Sequence, residues 1–250
     1  MPLSGSSQAI AGGSPRAGDG AESGYTGLAA RLGEIRGRVE AAGSRGGRSQ
    51  TVRIVAVTKT HGADAVAAVA RAGISDVGEN RVQEAIAKMG QTDVAVRWHL
   101  IGHLQRNKVR EAARFALIHS LDSERLAEAL DREALRLGRA FEVLVQVNAS
   151  GEASKGGFGT ADVPRIAERL RSMRGLKVTG AMTMAALGAS EPELRASFAR
   201  ARSAREVLAE AGHPAAELSM GMSQDYEIAV EEGATLVRLG TILFGARETQ

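Results

Sequence analysis

The chain has 250 residues, 44% hydrophobic and 24% charged, enough to hide roughly three quarters of its unfolded surface in one large domain or two small ones. It holds no run of about 18 apolar residues, which excludes a membrane-spanning helix. Its zero cysteines exclude disulfides, thiolate nucleophiles, iron–sulfur clusters and cysteine-ligated zinc, and its net charge of +3 is too small and dispersed to argue for nucleic acid.

Residues 1–24 carry six Gly, five Ser and no aromatic residue, a composition that cannot order itself by burial and predicts a disordered tail. They have neither a basic n-region nor a continuous apolar h-region, so no signal peptide is expected and the expected compartment is the cytoplasm. From Tyr25 to about Ala42, Leu28, Leu32, Ile35 and Val39 recur at helical spacing. After the loop GSRGGRSQ, strand patterns start near Val52, Ile74, Val94, Ala116, Phe141, Lys177, Ala216 and Thr235. Between them lie the helix-period segments DAVAAVARAG, RVQEAIAKM, SERLAEALDREALRLG, DVPRIAERLRSM and EPELRASFARARSAREVLAEAG.

Alternating strands and helices imply parallel strands joined by right-handed crossovers. Eight units in about 200 residues match an α/β fold of the (β/α)8 TIM-type barrel class; strand count alone leaves an open doubly wound sheet as the competitor. No linker interrupts the rhythm, so residues 25–250 are expected to form a single domain with one extra N-terminal helix, and a monomer.

The positive charge is carried by 27 Arg and only five Lys: Lys59, Lys88, Lys108, Lys155 and Lys177. Guanidinium is effectively never deprotonated, whereas a desolvated amine becomes a nucleophile. Lys59 follows VRIVAVT directly, so the first strand carries it to the barrel mouth, where apolar walls would favour a neutral amine that attacks a carbonyl. Its position fits a solvated lysine at a helix start equally well. Arg238 lies within the last strand pattern, TLVRLG, where its guanidinium must find an acceptor or a bound anion if it faces inward; the alternation also allows an outer position paired with a carboxylate. Gly240 and Thr241 follow, before a short segment TILFGAR whose start offers N–H groups to an anion. Ser219 ends the seventh expected strand beside them. Together these sketch a phosphate cradle opposite a reactive amine.

Other features point to structure. His99 and His103 are four apart but share no helical face and lack matching carboxylates, so no metal site is expected. Trp98 reads as core and Tyr226 as surface or packing. Arg106, Lys108, Arg110 and Arg114 read as a solvated basic helix start. SGEASKGGFG lacks the spacing of a Walker loop and reads as a mobile loop.

The stretches VAVTKTHGADAV, VGENRVQEA, WHLIGHLQRNK, HSLDS, QVNASGEASKGGF and SMGMSQDYEIAVEEGATLVRLGTILFGAR, in order from about Arg53 to Arg247, resemble the pyridoxal phosphate homeostasis proteins, single-domain relatives of the alanine racemase N-terminal barrel. The resemblance implies a barrel holding pyridoxal 5′-phosphate (PLP) as a Schiff base on Lys59. It places Asn80 near the cofactor ring and Arg238 at the pyridine nitrogen, with Ser219, the backbone at Met220, Gly240 and Thr241 on the phosphate. The family often has a proline where His103 stands and a serine where Thr58 stands.

An arginine at the ring nitrogen does not keep it protonated as a carboxylate would, which handicaps carbanion chemistry. Racemisation also needs proton carriers on both faces of the substrate carbon; alanine racemase takes one, a tyrosine, from a second domain. The leading expectation is therefore a carrier that captures the cofactor and supplies it to apo-enzymes. The alternatives are a weak racemase-like enzyme acting on amino acids, a phosphate-binding barrel enzyme without the cofactor and, more distantly, a nucleic-acid module.

Overall fold

The structure, a computed structural model, describes residues 25–151 and 156–245. The tail expected over residues 1–24, the centre of the glycine-rich loop with Lys155, and residues 246–250 lie outside the described residues.

Among the described residues nine parallel strands follow in chain order: β1 (Arg53–Val57), β2 (Asp76–Glu79), β3 (Arg97–Leu100), β4 (Leu117–Leu121), β5 (Phe141–Asn148), β6 (Phe158–Gly159), β7 (Leu176–Met182), β8 (Glu217–Ser219) and β9 (Leu236–Leu239). They pair in the order β4-β3-β2-β1-β9-β8-β7-β5-β6, and a further β4–β5 pairing closes eight of them into a ring. The closed (β/α)8 barrel is the expected class, and closure rules out the open sheet. The two-residue β6, which pairs with β5 at Val147 and Asn148, is too short to leave a periodic signal.

The helices are α1 (Leu28–Arg45), α2 (Ala63–Arg71), α3 (Val82–Met89), α4 (Glu124–Arg136), α5 (Val163–Arg171), α6 (Glu191–Glu210), α7 (Tyr226–Glu231) and α8 (Thr241–Phe244). Helix α1 buries Leu28, Leu32 and Ile35 as its spacing predicts, with Ala42 buried one turn on and Val39 half-buried. Its first turn is tied to the mouth end by Arg31 Nε, which donates to the Leu243 carbonyl at 2.8 Å. Beyond its last turn, Gln50 Nε2 donates to the carbonyl of Val230 at 2.9 Å. Helix α6 opens with a capping box between Ser190 and Glu193, satisfying two otherwise orphaned donors.

Between β3 and β4 the chain forms a 3-10 helix over Arg106–Arg114, not the α-helix start expected there. Its buried residues Val109 and Ala112 stand three apart, the period at which a 3-10 helix eclipses its side chains. Tyr226 is packing rather than surface: it is buried under α1, with the Arg38 guanidinium 5.5 Å from its ring centre.

The register fixes which residues share the inner face. Val55 pairs with Asp76 and Arg238, Asp76 with Arg97, Gly78 with His99, His99 with Leu117, Met182 with Ser219, and Ser219 with Leu236. The inside of the barrel is therefore mixed. Val55, Leu117, Leu144, Met182 and Leu236 form a small apolar cluster of their own, while Asp76, His99, His119, Ser219 and Arg238 are buried beside it. The larger core lies between the outer strand faces and the helices.

Candidate functional site

Lys59 stands two residues beyond β1, at the end of the barrel where the strands finish, and it is exposed. Among the described residues no hydrogen bond or ion pair engages its amine. Its exposure and its lack of a partner among the described residues leave the amine available. The turn that carries it is held from outside the barrel. Thr60 has φ 69°, a left-handed conformation rare for a β-branched residue, and its N–H donates to Glu84 Oε1 at 2.6 Å. The Lys88 ammonium, buried on α3, donates to the Thr58 carbonyl at 2.6 Å, to Glu79 Oε1 at 2.7 Å and to Glu84 Oε1 at 3.0 Å. Thr58 Oγ1 also donates to Glu79 Oε1, at 2.5 Å. The hydroxyl at position 58 thus ties β1 to β2 beneath the Lys59 turn.

Arg238 faces inward and is 4% exposed. Nη1 donates to Ser219 Oγ at 2.6 Å and Nη2 to the Thr183 carbonyl at 2.9 Å, leaving Nε without a protein acceptor among the described residues. Burial lowers its pKa to about 10, against the pull of Asp225, and the group remains a cation at neutral pH. A buried cation with a spare donor at the mouth is the local feature that asks for an acceptor.

The residues that the resemblance assigns to the phosphate have the following protein partners. Ser219 Oγ is already engaged by Arg238 and lies 2.9 Å from His119 Nδ1. The Met220 amide donates to the Leu236 carbonyl at 3.1 Å. Ser223, four residues on, instead accepts from the Ile242 amide at 3.3 Å, which puts a second serine hydroxyl beside the Gly240–Thr241 turn. Thr241 is exposed, and Gly240 stands against Val57. Helix α8 has only four residues, so any anion there would meet individual N–H and O–H groups and not a helix dipole.

Asn80 follows β2 at the mouth, half-buried, and Gly102 lets it approach: a Cβ at 102 would sit 2.3 Å from the Asn80 carbonyl oxygen. Glu79, the last residue of β2, turns outward to Lys88, and its Oε2 is buried without a partner among the described residues. His103 pairs with Asp122 at 2.7 Å. Among the described residues no group of three potential metal ligands occurs and no helix is long and apolar enough to cross a membrane. A cleft of about 560 Å³ lies at the opposite end of the barrel, where Arg53 and Asp76 are among its lining residues.

Reading the sequence missed Lys88, Glu84, Ser223 and the inward histidines. Lys88 carries a usable signal, because it lies four residues after Glu84 on a helix whose neighbouring face is apolar. His99 and His119 are polar residues inside apolar strand patterns, a second signal.

A family described as "Alanine racemase, N-terminal domain" matches residues 31–248. The pyridoxal phosphate homeostasis protein of Pseudomonas aeruginosa is 39% identical over 224 residues, covering 88% of this chain and 96% of that protein. That of Aquifex aeolicus is 36% identical over 222 residues, covering 87% and 97%. Among solved structures, PipY of Synechococcus elongatus with PLP bound aligns with a TM-score of 0.76 at 40% identity, over 87% of this chain and all of that one. Alanine racemase from Corynebacterium glutamicum aligns with a TM-score of 0.67 at 15% identity over 87% and 62%, a likeness of fold alone.

Proposed function

The chain belongs to the pyridoxal phosphate homeostasis proteins, within the alanine racemase N-terminal domain family, and from that premise we propose that its barrel mouth binds pyridoxal 5′-phosphate reversibly and holds it in reserve for apo-enzymes. The observation that carries this reading is the pairing of an amine with no partner among the described residues, Lys59, with a buried cation, Arg238, that keeps among them a spare donor at the same end of one barrel. Lys59 would hold the cofactor through its aldehyde, which supplies a reversible imine linkage to an amine with one water released on capture and one consumed on release. Arg238 would meet the ring nitrogen with its spare N–H, a hydrogen bond without a transferable proton, and Asn80 would stand beside the ring. Gly240, Thr241 and the Ser223 hydroxyl would hold the phosphate, while Ser219 would serve by holding Arg238, and Met220 by its backbone pairing.

An arginine in that place favours capture over carbanion chemistry. The geometry adds nothing for racemisation: Tyr226 is buried under α1, and Tyr25 packs edge-on against Phe244. The test is a visible spectrum of the protein with added PLP, then borohydride reduction and peptide mass mapping. A band abolished by reduction, with the added mass on Lys59, is the expected result. No band, or mass on another lysine, would overturn the reading. Transfer from loaded protein to an apo-transaminase, faster than from bulk exchange, tests the delivery step.

A further inference from the structure

From Arg238 a line of buried polar groups runs down the inside of the barrel toward its opposite end. Arg238 Nη1 lies 2.6 Å from Ser219 Oγ, Ser219 Oγ 2.9 Å from His119 Nδ1, His119 Nε2 2.9 Å from His99 Nδ1, and His99 Nε2 2.8 Å from Asp76 Oδ1. Both histidines, Ser219 and Asp76 are at most 3% exposed. Asp76 Oδ2 accepts from Arg97 at 2.8 Å, and Arg53 stands 3.5 Å from Oδ1. The line crosses the barrel from the mouth to the cleft at its base.

Its ends fix its direction. The Asp76 carboxylate only accepts, so His99 Nε2 donates; the arginine only donates, so Ser219 Oγ accepts from it. If His99 Nδ1 also donated, His119 Nε2 would accept and His119 Nδ1–H would point at Ser219 Oγ. The serine hydroxyl hydrogen would then face two donors and have no acceptor. With both histidines neutral and protonated on Nε2, every link has one donor and one acceptor. Burial keeps the His119 pKa well below its ordinary value, in keeping with a neutral ring.

We propose that His119 and His99 are positioning residues: as Nε2–H tautomers anchored on Asp76, they fix the Ser219 hydroxyl so that its oxygen lone pairs hold the Arg238 guanidinium at the cofactor ring. The inference rests on the PLP reading for its consequence but not for its chemistry. The relay is a directional support for a cation that would otherwise be held only by Ser219 and one carbonyl. A low-dielectric interior strengthens each link, and breaking one leaves its neighbour unpaired.

The test has two arms. In cofactor-free protein labelled with 15N-histidine, the relay requires bare Nδ1 and protonated Nε2 on both His99 and His119 at pH 7. A doubly protonated ring, or a proton on Nδ1 of either, overturns it. In the second arm PLP affinity is compared for wild type, His119→Asn and His119→Leu. The Asn side-chain oxygen takes the place of Nδ1 as acceptor, so H119N should stay within about threefold of wild type, while H119L, with a hydroxyl left unpaired, should weaken binding about tenfold or more. Equal affinity in H119L, with circular dichroism showing an intact fold, overturns the relay. If H119L fails to fold, loss of affinity in H119N overturns it instead. If wild type binds no PLP, the functional reading fails, and the tautomers alone decide the relay.

Discussion

Lys59 and Lys88 sit on either side of the first strand's end and have opposite fates. Lys88 is buried, and its ammonium meets three acceptors, the Thr58 carbonyl, Glu79 and Glu84. An ammonium has three hydrogens, so Lys88 has none to spare and, while so held, no lone pair to offer. Lys59 is exposed with no partner among the described residues. Burial therefore does not single out the reactive lysine here. The buried amine is spent on building the turn that presents the free one, and the two together explain why a chain with 27 arginines keeps lysine at both places. The other described lysines take no part: Lys177 pairs with Glu142 on the surface, and Lys108 lies on the 3-10 helix.

The largest effect that would break this contrast is at Lys88. Lys88→Met leaves Glu79 as an uncompensated buried carboxylate and releases the Thr58 carbonyl, and removing one partner of such a pair costs about 3–5 kcal/mol. Urea unfolding should show that loss. Glu79→Gln in the same background should recover part of it, since the remaining amide carries no charge. If Lys88→Met changes stability by less than about 1 kcal/mol, the cluster does not hold the turn, and the distinction between the two lysines collapses.

The barrel axis gives the next effect, through pH. Burial would raise the pKa of Asp76, but hydrogen bonds from His99 and Arg97 and the Arg97 charge hold it down at about 2. The stability Asp76 contributes is therefore fully present above its unfolded value near 3.8 and is lost as pH falls toward 2. A shift of this size is worth about 2 kcal/mol. His119 acts earlier on the same descent: its folded pKa lies below 6.5, so once the pH drops under 6.5 the unfolded chain takes up a proton that the native ring refuses. Unfolding free energies from pH 7.5 to 2 should fall in these two stages. His119→Asn should remove the first and keep the second.

How far such features were legible depends on whether they are local. The eight strands that close the ring fall on short apolar runs, several of them β-branched, bounded by polar or glycine residues, and most of the helices between them have a 3.6-residue period. Both signals live within a dozen residues. Lys59 and Arg238 were legible for the same reason, as charged groups at or inside apolar runs. The relay was not, because His99, His119, Ser219 and Asp76 meet only when four strands pair in register, and no window of sequence contains them. Ser219 and Ser223 show the limit most clearly. Both lie in SMGMS, but which hydroxyl faces Arg238 and which faces the Ile242 amide is set by where β8 ends and by the turn at Gly221, whose φ of 92° reverses the chain between them.

The smallest stability effect belongs to Lys59 itself, and it completes the contrast. Lys59→Met removes an exposed amine with no partner among the described residues, so unfolding free energy should move by no more than about 0.5 kcal/mol. The turn keeps its other supports, because Thr60 N–H still reaches Glu84 and the Thr58 carbonyl still accepts from Lys88. Chemistry should respond in the opposite sense to stability: borohydride treatment with PLP should leave no mass on the variant, while residual non-covalent binding through Arg238 and the phosphate side persists at lower affinity. Lys88 in the same variant should stay unlabelled, since its ammonium remains committed to its three acceptors. Labelling of Lys88 would show that the buried amine opens and exchanges with the mouth, so that partner count no longer separates the two lysines.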